Sequence, residues 1–169
     1  MARTGKDNAQ RNLQRSLIEA AGRGDAREVK RLLQQGARAN CRVLYGAEPL
    51  PIVAWVYMQW ESLQCENPDE AEARFADYAE TVRTLVQAGA PVDARDSLGN
   101  TTLMEAALSG HTCWIRLLLR LGANPNAAND HYRETPLTAA SQLAPPEAVW
   151  NLLQAGANVT SLPMMVFLP

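Results

Sequence analysis

Reactive side-chain types are few in this sequence, and their spacing limits the chemistry open to them. The cysteines are Cys41, Cys65 and Cys113, 24 and 48 residues apart, with no CxxC pair. A zinc site wants paired ligands at short spacing, and a disulfide framework wants an even count. Neither pattern is present, so the three read as buried or incidental thiols of a reducing compartment. The two histidines, His111 and His131, lie 20 residues apart. A catalytic imidazole needs a proton partner and a group that orients it. Cys41, His111 and Asp96 supply the residue types of a nucleophile set, but nothing in their spacing supports one. The phosphate loop GxxxxGK[ST], HExxH and GxSxG are all absent. The expectation is no enzyme, no cofactor and no metal.

Charge offers a second kind of chemistry. Arg3, Lys6, Arg11 and Arg15 could meet phosphates, but no aromatic residues interleave with them, and a solvated, frayed terminus is expected. Residues 1–38 hold nine bases and four acids, net +5, whereas residues 61–80 hold seven acids and one base, net −6. The whole chain is nevertheless near neutral, at −2 over 169 residues, which excludes a strongly basic nucleic-acid binder. At 47% hydrophobic the chain can build one domain with a core that needs no disulfide or metal. No apolar run approaches the roughly 18 residues of a membrane span, and the polar stretch Met1–Arg15 has no signal-peptide core. A cytoplasmic protein that binds neither membrane nor nucleic acid is expected. The closing SLPMMVFLP is too short to span, and its two prolines oppose an interfacial helix.

The elements that must position these side chains repeat. Residues 29–37 read VKRLLQQGA, 82–90 VRTLVQAGA, 115–123 IRLLLRLGA and 149–157 VWNLLQAGA, with the Gly-Ala pairs spaced by 53, 33 and 34 residues. Apolar residues at i, i+3 and i+4, such as Val29, Leu32 and Leu33, make one helical stripe. The glycine then suits the left-handed residue that closes a helix. A second phrase precedes the first: TTLMEAALSG at 101–110 and TPLTAASQLA at 135–144. Threonine can cap a helix there, Pro136 fits a first turn, and Ala106, Ala107, Ala139 and Ala140 let helices approach closely. The unit is turn, short helix, loop, longer helix, turn, in about 33 residues.

This pattern resembles the ankyrin repeat family, whose period is 33 residues with a TPLHxA signature. The segment Asp96 to Ala128 carries the resemblance best, through Gly99, Thr101, Leu103, Ala106–Ala107, Gly110–His111, Leu118–Leu119 and Gly122–Ala123. It has Thr102 and Met104 in place of the signature Pro and His. The next repeat keeps Thr135-Pro136-Leu137, with Arg133 at the usual turn glycine and Ala144-Pro145 at Gly-His. The resemblance implies an all-α solenoid of stacked helix–turn–helix units with turn fingers. Its repeats would fall at about 10–42, 43–95, 96–129 and 130–160, in one domain over 1–169, with 161–169 capping the last apolar face. It also implies that His111 braces an inter-helix turn. Arginine outnumbers lysine 14 to 2 and 27 residues are alanine, as codon bias in a GC-rich genome would produce, so a bacterial member is expected.

The second repeat carries 20 extra residues by its spacing, with Glu48-Pro49-Leu50 at the TPL position. Asn67-Pro68-Asp69-Glu70 has the makings of a helix start, and Ala71, Phe75, Tyr78, Val82 and Leu85 continue one stripe. Both helices are expected to be lengthened and to project two or three turns, joined near Cys65–Pro68. Trp55 and Phe75 should fill the space between them, leaving Trp60 uncovered beside the acidic run.

The function the resemblance implies is binding of another protein by a chain that is monomeric when free. Carried over by position, the contacts are Ser97, Leu98, Asn100, Leu108 and Ser109, then His131, Tyr132, Glu134, Gln142 and Leu143, with Arg133 added beside Tyr132. The long hairpin adds Tyr57, Trp60 and Glu61. Aromatic plus arginine is the composition of interface hot spots, which singles out His131-Tyr132-Arg133. A small non-enzymatic member with no attached catalytic domain is expected to be an immunity-type inhibitor, with a host-directed effector or a scaffold adaptor as alternatives. Far-UV circular dichroism should be dominated by helix and lost in one cooperative transition. A spectrum with substantial strand signal would contradict the repeat reading.

Overall fold

The computed structural model describes residues 2–45, 48–63, 68–130 and 132–159. The closing segment 161–169, expected to cap the last repeat, lies outside them. Among the described residues there are eight helices and two short strands, in two compact units, Met1–Pro91 and Val92–Pro169.

The first unit opens with α1, Ala2–Gly22, and α2, Ala26–Gln34. Asp25 caps α2 by accepting from Glu28 N at 3.0 Å, and Glu28 pairs with Arg31 one turn on. Leu17, Ala20 and Ala21 of α1 and Val29 of α2 have no exposed surface, so the amphipathic stripe is the packed face. The expected frayed terminus is instead helical: α1 begins at Ala2, and its middle is tied down by side chains. Gln10 Nε2 donates to Gly36 O at 3.0 Å. Gln14 donates to Arg38 O at 3.0 Å and accepts from Arg38 N at 2.9 Å. The two glutamines satisfy backbone groups beyond α2 that water would otherwise have to meet.

An antiparallel hairpin follows, β1, Arg42–Tyr45, and β2, Glu48–Pro51, with Val43 opposite Leu50 and Tyr45 opposite Glu48. The sequence reading put a helix start at Glu48-Pro49-Leu50, and the structure corrects it. Proline pushes its predecessor into extended backbone, so Pro51 keeps Leu50 in the strand and stands as N-cap at φ −58° and ψ 145°. Helix α3 therefore begins late and runs Ile52–Glu61, ten residues. Helix α4 runs Pro68–Gln87, twenty residues, against nine in α2. The eleven-residue difference is about three turns. Against the expectation that both helices lengthen, α3 has ten residues and α4 twenty.

Both α2 and α3 pack on α4. Tyr78, Ala79, Val82 and Leu85 of α4 are buried. The Tyr78 hydroxyl crosses to Gly22, donating to its carbonyl at 2.8 Å. Its ring lies under Gly24, which sits at φ +73° in the turn between α1 and α2. A Cβ added there would come within 2.9 Å of two ring carbons of Tyr78.

The second unit holds α5, Thr102–Leu108, α6, Thr112–Arg120, α7, Pro136–Leu143, and α8, Pro146–Gln154. Thr101 caps α5. Thr135 caps α7 in a reciprocal box: Thr135 N donates to Thr138 Oγ1 at 2.7 Å, and Thr138 N donates to Thr135 Oγ1 at 3.3 Å. Pro136 occupies the first turn, as its position in the sequence predicts. Helices α5 and α7 pack together, and Ala106, Ala107, Ala139 and Ala140 on them are all buried. Trp114, Ile115, Leu118 and Leu152 of α6 and α8 complete the core with no exposed surface. His111 stands as the N-cap of α6, its N–H on Ala106 O at 2.9 Å.

The close approach at Gly24 gives a direct test. Gly24→Ala combines left-handed strain with a clash on the Tyr78 ring, and should lower unfolding free energy by roughly 2–3 kcal/mol. Urea denaturation should show the drop, and an unchanged midpoint would contradict the packing described.

Candidate interaction surface

In the second unit the chain between helices folds into two fingers, and side chains rather than sheet ladders hold them. In the first, Arg95 and Thr101 form an isolated antiparallel bridge. Asp96 Oδ1 accepts from Leu98 N and Asn100 N, both at 2.9 Å. The turn closes through Gly99 at φ +80°, where a Cβ would meet Asp130 N at 3.1 Å. A guanidinium N–H group of Arg95 serves Gly99 O and Ala128 O, each at 2.7 Å, which ties this finger to the next.

The second finger is organised by Asn129, only 4% exposed. Its Oδ1 accepts from Tyr132 N at 3.0 Å and Glu134 N at 3.1 Å. Its Nδ2 donates to Asn100 Oδ1 at 3.1 Å, and its N–H donates to Glu134 O at 2.9 Å. Below the fingers a line of carboxylate and amide groups does the same work. Asp93 accepts from Asn124 N at 3.0 Å, Asn126 donates to Gly156 O at 2.9 Å, and Asn158 N donates to Asn126 Oδ1 at 2.7 Å. Polar loop backbone is thereby satisfied without water.

These bonds decide which of the sequence-selected residues face outward. Tyr132 is 84% exposed and Leu98 60%, on adjacent fingers, with Ser97, Leu108 and Arg133 exposed as well. A loop held this tightly can present large apolar side chains with little ordering cost on binding. Asn100 is committed internally, donating to Glu105 Oε1 at 2.9 Å in addition to its bond with Asn129. Glu134 is half-buried, its backbone in the Asn129 network. His131 lies outside the described residues. Arg133 is, among the described residues, the one non-glycine at positive φ, +56°, at the place where the preceding finger has Gly99. A non-glycine there stores about 1 kcal/mol of backbone strain.

The first unit brings Tyr57, Trp60, Glu61 and Phe75 together. Tyr57 is 1% exposed, so its selection as a contact residue is corrected: its ring is core, and its hydroxyl reaches Glu61 Oε1 at 3.1 Å. Trp60, expected to be uncovered, is half-buried. Its ring centroid is 6.1 Å from Phe75, edge-on, and 6.4 Å from Tyr57. The length of α4 supplies Phe75 as cover, which no neighbouring repeat was expected to do. Glu61 is exposed. Trp55 is half-buried against Tyr45 at 5.9 Å.

Sequence reasoning overlooked Asn129, although Asn-Asp at 129–130 is turn chemistry. It also overlooked Leu44, 76% exposed on β1, because a strand was not foreseen there. Catalytic chemistry finds no support in the thiols. Burial pushes the Cys41 and Cys113 thiols above their ordinary range, the reverse of what activates a nucleophile. Among the described residues no group of three His, Cys, Asp or Glu is placed to hold a metal ion, and no helix is long and apolar enough to cross a membrane.

Comparison with known proteins matches residues 71–162 to a family model described as ankyrin repeats, three copies. Ankyrin repeat and SAM domain-containing protein 6 of Rattus norvegicus is 34% identical over 118 residues, 69% of this chain and 10% of that protein. Ankyrin repeat domain-containing protein 63 of Homo sapiens is 30% identical over 139 residues, 80% of this chain and 32% of that protein. Glycerophosphocholine phosphodiesterase gde1 of Schizosaccharomyces pombe is 36% identical over 83 residues, 49% of this chain and 7% of that protein. The chain thus spans a third or less of the length of each of these relatives.

Asn129→Ala should leave two finger N–H groups and one amide acceptor unpaired, at a cost of about 2–3 kcal/mol. Amide hydrogen exchange should show the loss at Tyr132 and Glu134. Retained protection there would contradict the role assigned to Asn129.

Proposed function

The chain belongs to the ankyrin repeat family, a protein-interaction fold, and we propose that it binds a protein partner through the finger tips of residues 92–159. The observation that carries this reading is the pair Leu98 and Tyr132: large apolar side chains, well exposed, on adjacent fingers whose backbones are already fixed. Exposed apolar side chains on rigid loops bind with little loss of conformational freedom. Arg133 beside Tyr132 adds a hydrogen-bonding fork of the kind enriched at hot spots. Ser97 adjoins Leu98 on the first finger, Leu108 is exposed at the far end of α5, and Glu61 with half-buried Trp60 forms a second contact region on the first unit.

The finer reading is an inhibitor of immunity type: a single domain of four repeats, the second enlarged, monomeric when free, acting in the cytoplasm by covering a partner's working surface. A rigid surface suits a blocker because little conformational freedom remains to be lost when the partner docks. A host-directed effector and an assembly adaptor use the same surface with different consequences.

The test is capture of the partner from source-cell lysate by the wild-type chain and by the Leu98→Ala/Tyr132→Ala variant. Loss of about 2 kcal/mol at a hot-spot aromatic corresponds to about thirtyfold weaker binding. Stability should stay within about 0.5 kcal/mol of wild type, because both side chains are exposed. Equal capture by both proteins would move the site off the fingers. Stoichiometric loss of the captured partner's activity supports inhibition; unchanged activity in a larger assembly supports the adaptor.

A further inference from the structure

The β1–β2 hairpin has two outer edges, and they are chemically unequal. In an antiparallel pair, residues that exchange hydrogen bonds alternate with residues whose N–H and C=O groups point away from the partner strand. Ile52 N donates to Cys41 O at 3.2 Å, and that bond sets the parity. By the register of the pair, Val43 with Leu50 and Tyr45 with Glu48 exchange bonds, while Arg42 with Pro51 and Leu44 with Pro49 do not. The two prolines agree, having no N–H to exchange. The outer edge of β2 is therefore made of prolines, which cannot donate to a further strand. The outer edge of β1 carries the backbone groups of Arg42 and Leu44.

Among the described residues nothing takes up the groups of Leu44. No hydrogen bond reaches its N–H or C=O, and its side chain is 76% exposed. The strand is held in place all the same. It packs on β2 and α3, Val43 is buried, and the Tyr45 ring lies 5.9 Å from Trp55 of α3. Proline blunts the β2 edge against further pairing, whereas β1 presents an apolar residue with an open donor and acceptor.

We propose that β1 accepts an extended segment of a protein partner as a third strand, bonded to the N–H and C=O of Leu44 and placing a β-branched or aromatic side chain beside it. The occupant follows from the groups on offer. A donor and an acceptor on one strand residue are matched by another extended backbone; a helix has spent its own backbone groups internally. A second copy of this chain matches less well. Two copies pairing β1 to β1 so that both Arg42 and Leu44 are engaged set each Arg42 diagonal to the other, and guanidinium groups at that spacing repel. The ordering cost falls on the partner's segment alone, because β1 is already fixed. The inference rests on the protein-binding reading and adds a contact on the first unit that is recognised through backbone.

The test uses the full chain and a fluorescein-labelled, capped hexapeptide of alternating threonine and valine. Anisotropy gives the affinity, and NMR of the isotope-labelled chain gives the place. The Leu44 amide should shift on titration and gain protection from solvent exchange. The same peptide N-methylated at every residue keeps its side chains but has no donors, and should bind about tenfold more weakly. Leu44→Pro removes the outward N–H without breaking a bond to β2, and should also weaken the hexapeptide about tenfold. Leu44→Ala keeps both backbone groups and should cost about threefold. Circular dichroism checks the folding of each variant; if Leu44→Pro unfolds, the N-methylated peptide still decides. Equal binding of the two peptides overturns the proposal, as does an equal loss in the two variants or an unshifted Leu44 amide at millimolar peptide. Shifts at Leu44 that grow with protein concentration in the absence of peptide assign the edge to a second copy and overturn it as well. The Leu98→Ala/Tyr132→Ala variant should bind the hexapeptide as wild type does, so failure here and failure of the finger-tip reading are told apart.

Discussion

A helix of seven to ten residues does not persist alone in water, because helix nucleation is unfavourable and too few bonds follow it. Among the described residues, six of the eight helices are of that length, from seven residues in α5 to ten in α3. Everything else in the structure depends on the packing that makes up the difference. The alanine pairs of α5 and α7 are buried and carry little side-chain bulk, which suits the close packing of these two helices. Trp114, Leu118 and Leu152 fill the space behind them. Caps at Asp25, Thr101 and Thr135 contribute about 1 kcal/mol each and set where each helix begins.

Close helix pairs leave long excursions of chain between them, and those excursions carry polar backbone. In the second unit the shortfall in hydrogen bonds is met by side chains: Arg95, Asp96 and Asn129 bond backbone groups of the fingers, and Asp93 and Asn126 bond backbone groups below them. Rigidity at the tips follows from this polar scaffold rather than from apolar burial. Apolar side chains at the tips, Leu98 and Tyr132, are consequently left over for contact with something else.

The first unit solves the same problem with different parts. Glutamines on α1 replace a finger on that side, and a true two-stranded hairpin replaces the isolated bridge. The proline at residue 51 shortens α3 at its start, while α4 extends by about three turns and covers Trp60 with Phe75. A surface rich in aromatic residues by composition thus becomes in part an internal contact.

Repeat length, helix ends, caps and the family were legible in the sequence, because each depends on residues within a few positions of one another. Thr135-Pro136, the small pairs Ala106–Ala107 and Ala139–Ala140, and the left-handed position at Gly99 are all of this kind. The exposure of Leu98 and Tyr132 was legible as well, since turn tips offer no core. The tertiary structure alone decided which polar and aromatic residues were already spoken for. Asn100 meets Asn129 across 29 residues, Gln14 meets Arg38 across 24, and Tyr78 meets Gly22 across 56. Tyr57 looked like surface in an enlarged hairpin and is core. No local window carries such information, because a side chain's partners are set by which faces the helices bury, and that is fixed only when they pack.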